Sequence, residues 1–269
     1  MKVLRLAAFF ALASGLLLVA ALSAQRKTAL SLEYPSPLVR EEQTVIVDGV
    51  MEVWQLKWAE KPKPVCEPSD ASLTCPCQGF GYGEGGPLDL IRVRNGVELD
   101  RLPLTPFFED RRVAVVQRWQ PDTHKDFKLS MRPDFPAIVA KRPITQVMHL
   151  ADYDHDGLPN DFYLQTEARP CGKSFGIVIG ISKRNPRLHA LGTASNPGHP
   201  LYMQKDEWEA LRHASGPIEV LDWSCGDHGS DKQNTLRLRW TPEGIDGSRR
   251  TFACTVDHKP GVLIGEEPL

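Results

Sequence analysis

The stretch TVIVDGVMEVWQLKW, residues 44–58, decides how this chain folds. Asp48-Gly49 separates two runs, Thr44–Val47 and Val50–Trp58, and that dipeptide suits a tight hairpin turn, whose central residues need positive φ. In the second run Trp54, Leu56 and Trp58 share one face, while Gln55 and Lys57 share the other. A period of two with one apolar face is the mark of a half-buried strand.

The same pattern returns downstream. Leu88–Arg94 and Val97–Leu102 flank Asn95-Gly96, the strongest short hairpin signal. Arg112–Trp119, Phe162–Thr166, Gly176–Ser182, Leu188–Gly192, Ile218–Trp223, Thr235–Trp240 and Thr251–Val256 read as further strands. One segment reads as a helix, Lys205–His213. Leu201, Trp208 and Leu211 make one apolar stripe, Asp206 and Glu207 lie in the first turn, and Arg212 and His213 lie in the last. Gly216 and Pro217 stop it. The chain holds 22 prolines and 21 glycines, and no block repeats. A mainly antiparallel β fold follows, sandwich- or barrel-like, with disulfide-tied loops and one helix near 205–213. Residues 61–87 read as an irregular cysteine-tied loop, and 120–143 as a long proline-punctuated surface connection.

The first 24 residues read as an address. Lys2 and Arg5 precede the uncharged run 6–22, which ends in Ala20-Ala21-Leu22-Ser23-Ala24. A basic start, an apolar run and a small-residue end define a secretory signal peptide, so a periplasmic or extracellular location is expected. The alternative is an N-terminal anchor, since the run is nearly long enough to span a bilayer. Residues 25–43 are polar, carry Pro35 and Pro37, and read as a flexible tether. Residues 44–269 then form a single β-rich domain. No membrane span is expected once the signal is removed. The formal charge is −2, without the basic excess of a nucleic-acid surface. The expected partner is a protein or a glycan, for which the six tryptophans offer packing surfaces.

Six cysteines in an exported chain read as disulfides. Cys75 and Cys77 flank one proline, so a bond between them would be strained. The expected pairing joins Cys66 to one of these two, the other to Cys171, and Cys225 to Cys254. A metal or redox site on Cys75-Pro-Cys77 is the competing reading, though no CxxC spacing is present.

The densest chemistry lies at 152–161, DYDHDGLPND. Carboxylates at alternate positions converge on one cation when the backbone curls round it, and calcium takes six to eight hard oxygens. Asp152, Asp154 and Asp156 would supply side-chain oxygens, and Gly157 would permit the sharp turn. Leu158 would supply its carbonyl, and Asn160 or Asp161 would complete the ring. The bland alternative is a solvated acidic turn, since Asp, Asn, Gly and Pro are ordinary turn formers. The DxDxDG pattern resembles the calcium loops of EF-hands. Its Leu158-Pro159-Asn160 continuation is closer to thrombospondin type 3 and FG-GAP-type loops. The resemblance implies calcium binding. It departs from the EF-hand at the twelfth position, Tyr163, where that family has a bidentate glutamate. Strand patterns, not helices, flank it. The order of Cys-Pro-Cys, the acidic loop, Pro170-Cys171-Gly172-Lys173 and the cluster at 223–229 also resembles a group of uncharacterised exported bacterial proteins.

Catalytic signatures are sparse. No HExxH occurs in the chain, and the glycine run 79–86 lacks the Gly-Lys-Ser/Thr ending of a P-loop. Asp227 and His228, in the next densest cluster, could bind a transition metal or serve as acid and base, and would give an extracytoplasmic hydrolase. A polar turn beside a disulfide is the simpler account of them. The sequence therefore favours a calcium-stabilised, exported binding or structural domain, with the hydrolase as its alternative.

Overall fold

In the computed structural model, residues 38–66, 80–129, 131–169 and 173–269 are described, and all belong to one unit of the chain. The quoted hairpin forms as read. Strands β1 (Val39–Val47) and β2 (Val50–Trp58) pair antiparallel in the register Val47↔Val50, with Asp48 and Gly49 both at positive φ. β2 also pairs with β5 (Leu88–Arg94), which turns at Asn95-Gly96 into β6 (Val97–Pro103). This gives a four-stranded sheet in the order β1-β2-β5-β6.

A second sheet is centred on β9 (Lys173–Gly180), with β8 (Asp161–Arg169) along one side. The short β10 (His189–Ala190) and β11 (Met203–Gln204) pair with β9 as well. Trp54, Leu56, Trp58, Leu88 and Leu90 from the first sheet share one core with Phe162, Leu164, Ile177 and Ile179 from the second. The opposite face of β9 is also covered. Val178 joins Trp208 and Leu211, together with Leu236, Leu238 and Ile245 from the C-terminal sheet. A strand buried on both faces reads as a continuous apolar run, which is why GIVIG lacks alternation. The C-terminal sheet runs β12 (Ile218–Trp223), β13 (Lys232–Thr241), β14 (Gly244–Cys254), β15 (Pro260–Pro268) in sequence order. Two cores thus meet at β9, and the chain is mainly antiparallel β, as expected.

Four features differ from the sequence reading. The expected tether 25–43 overlaps β1, because Val39–Gln43 pair with Trp54–Lys57; residues 25–37 lie outside the described residues. The expected irregular loop 61–87 contributes β3 (Lys63–Val65) and β4 (Gly83–Gly86), which pair with β7 (Ala114–Gln117) in a third sheet. Four glycine-rich residues give no side-chain alternation to read. Their small size is nonetheless structural: a Cβ on Gly85 would stand 2.8 Å from Val65 Cγ2. The connection 120–143 holds two short helices, α1 (Thr123–Leu129) and α2 (Phe135–Val139). Pro136 stands in the first turn of α2, where its missing N–H costs no helix bond, and Phe135 and Val139 are buried. β15 was not expected, since most of its side chains are exposed on both faces and carry no alternation.

The helix α3 (Lys205–His213) has the expected bounds. The Gln204 N–H donates to Glu207 Oε2 at 2.7 Å, which fixes the helix start. Trp208 is fully buried and donates its indole N–H to the Gly176 carbonyl at 3.2 Å, so helix and β9 are locked together.

Cys225 and Cys254 form a disulfide with Cα atoms 5.6 Å apart, the expected pair. Cys66 is also disulfide-bonded. Cys75, Cys77 and Cys171 lie outside the described residues, as do the expected signal segment 1–24 and its cleavage region. Among the described residues no helix is long and apolar enough to cross a membrane.

Candidate metal centre

The acidic segment leaves the first core at Met148 and returns to it at Phe162, both fully buried. An isolated antiparallel bridge, Ala151↔Asp161, closes it. Ala151 N–H donates to the Asp161 carbonyl at 2.7 Å, and Asp161 N–H donates back at 3.0 Å. Residues 152–160 must therefore curl within one closed turn. His155 and Gly157 take positive φ, 59° and 90°. Glycine meets that demand without a Cβ penalty.

The curl gathers carboxylates. Asp152, Asp154 and Asp161 each offer an oxygen within 4.8 Å of the others, a spacing that could hold a metal ion. Backbone N–H groups arrange the three. Asp161 Oδ2 accepts from Tyr153 N at 3.1 Å and Asp154 N at 3.2 Å. Asp152 accepts from Asp156 N at 3.1 Å and Gly157 N at 3.0 Å, and Asp154 Oδ1 accepts from Asp156 N at 3.0 Å.

Asp161 is fully buried, and its Oδ1 has no hydrogen-bond partner among the described residues. Beside it Asn160 is 1% exposed, and neither its Oδ1 nor its Nδ2 has a partner. Buried polar atoms are nearly always paired, so two neighbouring exceptions beside a carboxylate cluster point to a ligand. Burial pushes the Asp161 carboxyl well above its ordinary range, and the nearby Asp154 charge adds to that. Burial likewise moves Asp154 up to about 6, against the opposing Asp156 N–H. Both shifts record the same fact: protein groups alone do not compensate these carboxylates.

Gly180, opposite Asp161 in the β8–β9 register, makes the arrangement sterically feasible. A Cβ there would stand 1.9 Å from Asp161 Oδ1 and 2.6 Å from the Asn160 carbonyl. Sequence patterning treats Gly180 as the end of a strand; only the pairing register makes it part of the site.

The remaining expected ligands are placed differently. Asp156 is not part of the trio; its Oδ1 accepts from Leu158 N at 2.8 Å. The Leu158 carbonyl accepts from Asn160 N at 2.9 Å. Tyr163, at the position of the missing glutamate, points away from ligand chemistry and donates to the Ser174 carbonyl at 3.2 Å.

The loop is clamped on two sides. Tyr153 packs edge-on against Trp208, its hydroxyl donates to Glu209, and the Arg212 guanidinium lies over its ring. His155 Nε2 donates to the Arg212 carbonyl at 2.9 Å. From the β9–β10 connection, Lys183 donates to the Asp156 carbonyl.

Asp227 and His228 occupy a short 3-10 turn beside the Cys225–Cys254 bond. Their side chains approach to 3.6 Å, and His228 lies against Trp223 at 5.8 Å between ring centroids. They are remote in sequence from the acidic loop and are not part of its carboxylate cluster.

Comparison with protein-family models, with curated proteins and with solved structures gives no match. The likeness of 152–161 to known calcium loops therefore rests on those ten residues, and the wider likeness to exported bacterial proteins has no further support. What fold and site define together is a class: a β-rich, disulfide-containing protein with an aspartate cluster that could hold a metal ion.

Proposed function

We propose that the chain is an exported β-domain protein stabilised by calcium, acting as a binding or structural component in the cell envelope or outside it. The observation that supports this most is the buried, incompletely paired Asp161 carboxylate facing Asp152 and Asp154. An all-oxygen donor set from carboxylates and one amide suits a hard cation over zinc or copper, which take histidine or cysteine. The loop joins strands and is clamped to α3 and to the β9–β10 connection, which favours a staple over a switch. Export rests on the basic, apolar and small-residue pattern of residues 1–24. Isothermal titration of the chelator-stripped protein with calcium, magnesium and zinc tests the metal reading. One calcium per chain is the expected result. No heat and no calcium by elemental analysis would refute it. Processing at Ser23 or Ala24, read by mass spectrometry of the protein recovered from a periplasmic extract, tests export.

A further inference from the structure

A cleft of about 560 Å³ opens beside the acidic loop, between the β9–β10 connection and the β13–β14 turn. That volume falls among small-molecule sites, which run roughly 300–1,000 Å³. Asp154 and Asp156 form the wall that the cleft shares with the loop. Trp240 and His155 also line it, with their rings 5.2 Å apart and tilted by 31°. Lys183 and Arg184 face it from the β9–β10 connection, and Glu243 from the β13–β14 turn.

We propose that this cleft binds a saccharide, two of whose neighbouring hydroxyls complete the coordination of the calcium held by the loop. The inference rests on the calcium reading above. Three features select this ligand class. Trp240 and His155 give the cleft an aromatic wall. Aromatic residues with a polar handle suit a ligand that is apolar on one face and hydroxylated at its edges. The lining carries three carboxylates against two cations, so it does not select a polyanion. Arg184 and Glu243 have no ion-pair partner among the described residues, which leaves a planar donor and a planar acceptor for hydroxyl groups. Finally, calcium takes six to eight oxygens. Asp152, Asp154, Asp161 and Asn160 do not fill that number with one oxygen each. Asp154 belongs both to the carboxylate trio and to the cleft wall, so positions left on the cation face the cleft.

The test is calorimetric titration of the full mature chain with methyl glycosides of mannose, galactose, glucose, fucose and N-acetylglucosamine. Each is run in millimolar calcium and again in chelator. At least one sugar binds in calcium and not in chelator, and its analogue lacking one of the paired hydroxyls binds at least about tenfold more weakly, the loss of one good polar contact. Trp240→Leu, which removes the aromatic wall, and Glu243→Gln, at an exposed turn, each weaken the sugar while leaving the calcium isotherm unchanged. Calcium binding with no sugar bound overturns this inference and leaves the calcium reading intact. Sugar binding that persists in chelator overturns the bridging role. Absence of calcium binding overturns both.

Discussion

Asp161→Asn separates a cation site from an acidic turn by the sign of its effect. Without a cation the buried Asp161 carboxyl either repels Asp152 and Asp154, whose oxygens lie within 4.8 Å, or takes up a proton, and both cost stability that Asn does not. The Asn carbonyl still accepts from Tyr153 N and Asp154 N, and the two hydrogen bonds weaken by roughly 1 kcal/mol each. In chelator the relieved cost offsets that loss, so the variant is as stable as the parent or more so. In calcium the order reverses. A cation at about 100 times its Kd adds about 2.7 kcal/mol to the parent, and roughly 5–11 °C to its melting temperature for a domain of this size. The variant, short of one buried carboxylate, loses most of that gain. The assay is thermal melting of both proteins in calcium and in chelator, with calcium content measured on the same samples. Equal destabilisation of the variant in both buffers would show that Asp161 only braces the turn. A parent that does not respond to calcium would refute the reasoning outright.

Other perturbations reach the surroundings of the site. Gly180→Ala forces a Cβ against Asp161 Oδ1, so it destabilises by about 1–3 kcal/mol or more and weakens calcium binding, both read by calorimetry. Arg142→Met strips Asp126 of the guanidinium that, with Tyr82, anchors α1, and costs about 3 kcal/mol in denaturant unfolding. Burial raises the Asp126 carboxyl, but Arg142, Tyr82 and the Asp122 N–H together hold it below its ordinary value. A carboxyl lowered on folding adds stability above its unfolded pKa and loses it as pH falls through the folded one. The parent therefore loses stability in acid below about pH 4, and Asp126→Asn loses less over the same interval. Cys225→Ser with Cys254→Ser opens a loop of 29 residues and lowers stability by about 3.5 kcal/mol on the chain-entropy account; an unchanged denaturation midpoint would contradict it.

The two hairpins and α3 were legible because local rules govern them. Asp48-Gly49 and Asn95-Gly96 set turns through their own φ preferences, Trp54, Leu56 and Trp58 show their face by spacing, and the α3 charges match its dipole. The acidic loop was legible for the same reason: alternate aspartates before a glycine need only a curled backbone to converge. Where pairing partners are far apart in the chain, sequence patterning falls short. β4 is four glycine-rich residues whose burial comes from β3 and β7, and β15 is a strand only because β14 offers it a ladder. α2 is too short for a period to show.

The candidate site divides along the same line. Sequence alone nominated Asp152, Asp154, Asp156 and Leu158 through spacing, with Asn160 or Asp161 to complete the ring. Tertiary structure ranked them. The Ala151–Asp161 bridge and the β8–β9 register bury Asp161 against Gly180 and bring it to Asp152 and Asp154, while Asp156 lies outside that trio and accepts from the Leu158 N–H. No pattern within ten residues can encode that choice, because burial and the space beside Gly180 are set by a strand about twenty residues away.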